Sequence, residues 1–352
     1  MNQNTSRSQV IPLTVAAAVA LTAGALSTTH TAAQQRGAAD TGLHSMHVQG
    51  KVYMIVGAGG NVTVQVGESG VFVVDTGAAA QAPALIEEIE RISGNKPIRW
   101  IANTTLDADH IGGNVALKHA GKQIVAGNFA GQVGGEEGAA IVGREELLGW
   151  MSQRSGTGSG TVAPGEAWPT EAYTEPHDDF FFNDESIKLI HAPAAHTGGD
   201  SLVYFGKSDV LATGDVFVET TFPVIDQTHG GTINGILDGL NQIIDITVPD
   251  HQEEGGTLVV TGHGRLCDEA DVVDYRDMVT IIRDRVQDMI KKGMTIDQVV
   301  AAGPAQDYAG RYGATTGPWT TTQFVQAVYQ TLKPAAPAPA AKQPASDPKR
   351  GR

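Results

Sequence analysis

Between Asn103 and Asn114 the chain reads N-T-T-L-D-A-D-H-I-G-G-N, placing two carboxylates and an imidazole within Asp107 to His110. Carboxylate oxygens and imidazole nitrogens are ligands for a divalent cation, and a carboxylate can also orient or deprotonate a water. Asp109 and His110 are neighbours. Both can therefore face one ion only from an irregular turn, not from a strand, where neighbours alternate faces. Gly112 and Gly113 permit backbone angles and close approaches that a side chain would forbid. The same spacing also fits a capped helix start with Asp109 as the N-terminal carboxylate, and the segment alone leaves both readings open.

Three later segments each carry one further metal-type ligand. His196 sits in A-H-T-G-G-D-S-L, Asp215 in L-A-T-G-D-V-F after an apolar run, and His263 in V-V-T-G-H-G after another. Singly, a His or Asp beside Gly reads as a turn or cap residue. Four such segments in one chain point to a shared cation. Among the other histidines, His44 and His47 lie near the start, His119 lies on a helix turned away from the motif, and His251 lies in a polar connection. His177 belongs to the acidic run E-P-H-D-D and is expected in solvent, whereas His191 is expected on a strand, partly buried and satisfied. His229, in D-Q-T-H-G-G-T after Asp215, could reach a substrate from its loop. Cys267 is the only cysteine, so an intramolecular disulfide and a thiolate zinc knuckle are both excluded.

The elements that must position these residues follow from periodicity. Valine-rich runs at residues 51–56, 61–66 and 70–75 read as strands separated by G-A-G-G and G-E-S-G turns. The first of those turns leads into a strand and not a helix, so it is no dinucleotide loop. Residues 84–92 are amphipathic, and a strand at residues 98–102 delivers the central motif, which continues with helical spacing from Val115. A short strand is expected at residues 123–126 and a short helix at 144–151. Further strands are expected at 180–182, 187–190, 201–205, 210–213 and 257–261. Helices are expected at 233–246, 271–291, 295–302 and 321–332. The Gly/Ser/Thr-rich stretch 155–165 contains no G-x-S-x-G elbow and reads as a surface loop placed to act as a substrate-selecting lid.

Hydrophobic residues at 41% and charged residues at 18% over 352 positions indicate a folded chain with ample core. The formal charge of −15 argues against nucleic acid or an anionic membrane as partner. Arg7 followed by the apolar stretch from Val10 to Leu26, with small residues at Thr31-Ala32-Ala33, resembles a cleavable secretory signal, with an uncleaved anchor as the alternative. The expected organisation is a signal peptide (1–33), a flexible lead-in (34–44), a globular domain (45–332) and a Pro/Ala-rich tail (333–352). The mature protein would be secreted or periplasmic and free of the membrane.

The order of a D-T-G at Asp75, then D-x-D-H-x-G-G-N, H-T-x-G-D-S, T-G-D and V-T-G-H-G resembles the metallo-β-lactamase-fold hydrolases, from about Val52 to His263. The resemblance implies an α/β fold, a four-layer αββα sandwich with a metal site at one edge between two sheets. The usual stretch in that family is T-H-x-H-x-D-H, and here its first two histidines are Thr105 and Asp107. A principal ion is thereby implied at Asp109, His110 and His263, with Asp215 bridging to a weaker second position at His196 and Asp107. Asp109 or Asp107 would orient or deprotonate the attacking water. Zinc is the expected metal, as one or two ions, and the added carboxylates leave Fe or Mn open. The implied activity is hydrolysis of a small-molecule substrate, an ester, lactone, lactam or related carbonyl. Thr105 and Asp107 motivate an alternative, a relative that binds metal or ligand without turnover. The two-His-one-carboxylate set motivates another, a non-haem iron oxidoreductase.

Overall fold

The computed structural model describes residues 42–123, 138–153, 163–249 and 255–333. All of them belong to the unit Thr41–Arg352. The expected signal, most of the lead-in, residues 124–126 of the expected strand, residues 155–162 of the Gly-rich loop, His251 and the tail beyond Lys333 lie outside the described residues.

The first sheet has seven strands in sequential order: β1 (His44–Gln49), β2 (Val52–Val56), β3 (Val62–Gly67), β4 (Gly70–Val74), β5 (Ile98–Ala102), β6 (Ala140–Arg144) and β7 (Glu171–Tyr173). The strands β1 to β4 form an antiparallel meander, and β4 to β7 run parallel. The parallel strands β4 and β6 are buried throughout, as expected of strands covered on both faces. Helix α1 (Ala82–Ser93) crosses from β4 to β5. Proline in its first turn and Gly94 in the left-handed conformation after its end delimit it. Its face of Ala82, Leu85 and Ile89 packs on Ile55, Val64 and Val73 of the sheet. The short helices α2 (Ala108–Ile111) and α3 (Asn114–Ala120) follow β5, and α4 (Glu145–Ser152) follows β6.

The second sheet has six strands in the order β13-β12-β11-β10-β9-β8, from β8 (His177–Phe182), β9 (Glu185–Ala192), β10 (Asp200–Phe205), β11 (Val210–Ala212), β12 (Leu258–Val260) and β13 (Leu266–Cys267). Only β11 and β12 pair in parallel. Between the sheets lies a core that includes Met54, Phe72, Val74, Leu189, Val203 and Phe205. Outside the second sheet pack α5 (Ile233–Ile246), α6 (Glu269–Lys291), α7 (Ile296–Ala302), the single turn α8 (Ala309–Tyr312) and α9 (Thr321–Leu332). Reciprocal capping boxes start α6 (Asp268 with Asp271), α7 (Thr295 with Gln298) and α9 (Thr320 with Gln323). Helix, sheet, sheet, helix is the four-layer α/β sandwich expected.

Candidate metal centre

The carboxyl ends of β4, β5, β11 and β12 bring their following turns together, and the turn after β9 joins them. Directly after β4, Asp75 has φ +62°, a left-handed conformation that aspartate tolerates better than most residues. Its buried carboxylate accepts from Thr104 N (2.8 Å), Thr104 Oγ1 (2.6 Å) and His110 Nδ1 (2.8 Å). After β5, Asp107 occupies the N-cap of α2 in extended conformation but makes no cap hydrogen bond. Its Oδ2 lies instead 3.2 Å from His196 Nε2. One helical turn then presents Asp109 and His110. Their carbonyls are held by Gly60 N (3.0 Å) and Thr76 N (2.6 Å).

The two glycines of the motif have ordinary helical φ, −60° at Gly112 and −85° at Gly113, so conformational freedom is not what they supply. Close approach is. A Cβ on Gly113 would sit 2.3 Å from Thr76 O, and one on Gly112 would sit 2.5 Å from Ala79 N. Asn114 locks the turn from below, accepting from Thr76 Oγ1 and exchanging side-chain hydrogen bonds with Asn103 while donating to Ala167 O.

The second sheet supplies the remaining ligands. His196 is fixed by its Nδ1–H donating to Val224 O (3.0 Å), which leaves Nε2 facing the site. The buried Asp200 carboxylate, accepting from Thr197 N and Thr197 Oγ1 (2.6 Å each), shapes the turn beneath it. Asp215 leaves β11 through Gly214, whose φ is +50° and whose Cβ would fall 2.3 Å from Thr104 Oγ1. His263 follows β12 after Gly262, where a Cβ would lie 2.3 Å from Asp215 Oδ1. No residue but glycine fits that position without displacing the carboxylate.

Among the described residues, two groups have ligand atoms all within 4.8 Å of one another: Asp109, His110 and His263, and beside it Asp107, His196 and Asp215. Asp215 divides its oxygens between them. Its Oδ1 lies 3.2 Å from His110 Nε2 and 3.6 Å from His263 Nε2, whereas its Oδ2 faces His196 Nε2 at 4.0 Å. Asp109 Oδ2 is 3.3 Å from His263 Nε2. His110 Nε2 and Asp215 Oδ1 are fully buried atoms, yet among the described residues neither completes an aligned hydrogen bond, and the same is true of Thr105 Oγ1. Buried polar atoms left without partners are costly. A cation between these groups would satisfy both His110 Nε2 and Asp215 Oδ1, so the residues present fit one.

The charge balance points the same way. Burial lowers the pKa of His110, but the carboxylates of Asp215 and Asp75 outweigh it and hold the imidazole well above its usual value. Burial also opposes protonation of His196, yet the Asp107 hydrogen bond, with Asp200 and Asp215, raises its pKa to about 10. Asp215 would be pushed up by burial, but His110, His196 and His263 hold it well below the usual carboxylate range. Protons on imidazoles thus stand where divalent charge would serve as well.

Other histidines fall away from this cluster. His119 is exposed beside Glu166, and His177 lies half-exposed at the start of β8 beside Asp179. His191, on β9, has its Nε2 2.9 Å from Gly198 O. His229 sits on the loop that clasps His196, since Asp226 N donates to His196 O (2.9 Å) and Gly198 N to His229 O (2.8 Å). Its Nδ1 is 2.5 Å from Asp226 Oδ2, and its ring meets the edge of Trp150 at 4.9 Å. Asp75 was visible in sequence only as a D-T-G motif without a role. A buried Asp directly after a strand could have suggested an orienting role, but not that the residue it orients is His110.

The family model of the metallo-β-lactamase superfamily matches residues 55–263, more than half of the chain. The chain belongs to that superfamily, a fold that usually holds divalent metals. Among solved structures, the stereoselective inverting sec-alkylsulfatase Pisa1 from Pseudomonas sp. is similar at 15% identity and TM-score 0.58, covering 86% of this chain and 52% of that one. A double mutant of the same sulfatase gives 15% and 0.56, covering 82% and 50%. The BLEG-1 B3 metallo-β-lactamase gives 20% and 0.48, covering 63% and 94%. The chain thus spans about half the length of the alkylsulfatases, and the likeness is one of fold. No curated protein matched the sequence.

Proposed function

We propose that the protein is an exported metal-dependent hydrolase of small carbonyl substrates such as esters, lactones or lactams. The observation that carries this reading is the division of the Asp215 carboxylate between two ligand groups at one edge of the sandwich. Asp109, His110 and His263 would hold the principal zinc-class ion, and Asp107, His196 and Asp215 a second one. A cation so held would supply a water activated to a pKa of about 7 and a Lewis acid for the substrate carbonyl. Asp75 keeps the proton of His110 on Nδ1, so that Nε2 is free to ligate. Asp109 and Asp107, with side chains 42% and 36% exposed, are the ligands nearest solvent. Either orients the attacking water and takes its proton as oxygen adds to the acyl carbon. The proton passes to the leaving oxygen or nitrogen when that bond breaks. The apolar run after Arg7 supports export, and among the described residues no helix is long and apolar enough to cross a membrane.

A sulfate ester is the second reading, favoured by the fold likeness to a sec-alkylsulfatase at TM-score 0.58. Metal analysis of protein purified without added metal, followed by turnover of p-nitrophenyl acetate, a γ-lactone, nitrocefin and a sec-alkyl sulfate, separates the cases. Zinc or manganese with carbonyl turnover supports the proposal, and sulfate release alone replaces it with the second reading. Iron with oxygen consumption, or no turnover after reconstitution with any of these metals, refutes it.

A further inference from the structure

The two ligand groups are chemically unequal in a way this chain's own residues create. The first offers two imidazole nitrogens and one carboxylate. The second offers one imidazole and two carboxylates, Asp107 and Asp215. Thr105, buried with its hydroxyl unpaired among the described residues, stands two residues before Asp107, where no imidazole is available. Imidazole favours zinc, whereas carboxylate and hydroxyl oxygen favour harder ions such as Mn2+ and Mg2+, which complete their shell with water. The Asp107 carboxylate is at the helix N-cap, over a third exposed and free of capping duty, so it can meet an ion that keeps waters.

We propose that the centre is a mixed one, in which the Asp109–His110–His263 position retains a zinc-class ion and the Asp107–His196–Asp215 position takes an exchangeable hard ion of the Mn2+ class. This rests on the hydrolase reading only in taking the Asp109–His110–His263 position to hold a cation. Asp215 couples them, since its Oδ1 serves the first position and its Oδ2 the second. The first ion therefore fixes the carboxylate that the second needs, and the hard ion binds after zinc.

The test uses the full chain, stripped with a chelator and brought to equilibrium dialysis against one equivalent of zinc and an excess of manganese. Both metals are counted by mass spectrometry, and bound Mn2+ is followed by its paramagnetic resonance. The expected result is about one zinc and one manganese per chain, with manganese uptake requiring zinc. In Asp107→His a second equivalent of zinc should displace manganese at least about tenfold more readily than in the parent, because an imidazole replaces an oxygen donor. In Asp107→Asn, which keeps the size of the side chain, manganese should be lost while one zinc stays. Equal displacement in the parent and Asp107→His overturns the proposal, and so does manganese retained in Asp107→Asn. One zinc with no second ion of either kind overturns it while leaving the hydrolase reading intact. Uptake of neither metal overturns both.

Discussion

Replacing Asp75 with Asn changes one oxygen to an amide nitrogen at a position that touches no substrate. Asp75 Oδ1 accepts from Thr104 N, and Oδ2 accepts from Thr104 Oγ1 and His110 Nδ1. With the amide nitrogen in place of Oδ2, a donor faces the Nδ1–H of His110. The imidazole relieves the clash by giving up the Nδ1 proton and keeping one on Nε2, where it points toward Asp215 Oδ1, 3.2 Å away. Asparagine accepts the left-handed φ of +62° as readily as aspartate, and the threonine hydroxyl can rotate to accept, so the fold is kept. Loss of a charge-assisted hydrogen bond should lower the stability of the metal-free protein by about 1.5–3 kcal/mol. Loss of the orienting carboxylate should weaken the principal ion about 10–100-fold, which is about 1.4–2.8 kcal/mol of binding. Chelator competition gives the affinity, urea unfolding the stability, and 15N shifts of His110 the tautomer. An ion held within about twofold of the parent affinity, with His110 still protonated on Nδ1, would refute the role given to Asp75.

Further outcomes follow from the same geometry. His263→Ala and Asp109→Ala, both at partly exposed side chains, should remove the principal ion while shifting metal-free stability by no more than about 0.5 kcal/mol. Metal analysis showing that ion retained in either variant contradicts the ligand assignment. Gly262→Ala forces a methyl to within 2.3 Å of Asp215 Oδ1, so zinc and manganese contents should fall together; loss of only one metal would mean the carboxylate is not shared. In the metal-free protein the raised pKa of His196 contributes stability that is fully present below its ordinary value of 6.5 and is lost as pH rises toward about 10. Over the same window affinity for the ion at the Asp107–His196–Asp215 position should rise, because that ion displaces the His196 proton. Urea midpoints of the chelated protein that are flat from pH 6.5 to 10 would contradict the charge balance described for the site.

Much of this was legible before the structure because β4, β5, β11 and β12 are runs of Val, Ile, Leu and Ala that end in short motifs rich in Asp, His and Gly. Where polarity or brevity hid a strand, the sequence was silent. β1 reads H-S-M-H-V-Q and lies at the sheet edge largely exposed, so no apolar alternation marks it. β6 is buried throughout, but the glycine in A-I-V-G-R and the arginine at its end resemble a loop leading to a helix. That arginine is paired with Glu146 and lies over the Tyr173 ring, contacts made across elements that periodicity cannot reveal. β7 and β13, three and two residues long, exist only through their neighbours in the ladder. The candidate ligands could be named one by one, whereas the division of Asp215 between the two groups is a matter of distance alone.

Each ligand group draws on both halves of the sandwich. Asp109 and His110 follow β5 of one sheet while His263 follows β12 of the other, and Asp107 likewise faces His196 and Asp215 across the layers. Between the sheets at this edge runs a backbone hydrogen bond from Ser201 N to Thr104 O (2.9 Å). A cation bound here would act as a clasp at the rim, so the work of prising the layers apart would include the work of extracting the ion. Heat resistance of the chain would then climb with the free metal concentration around it.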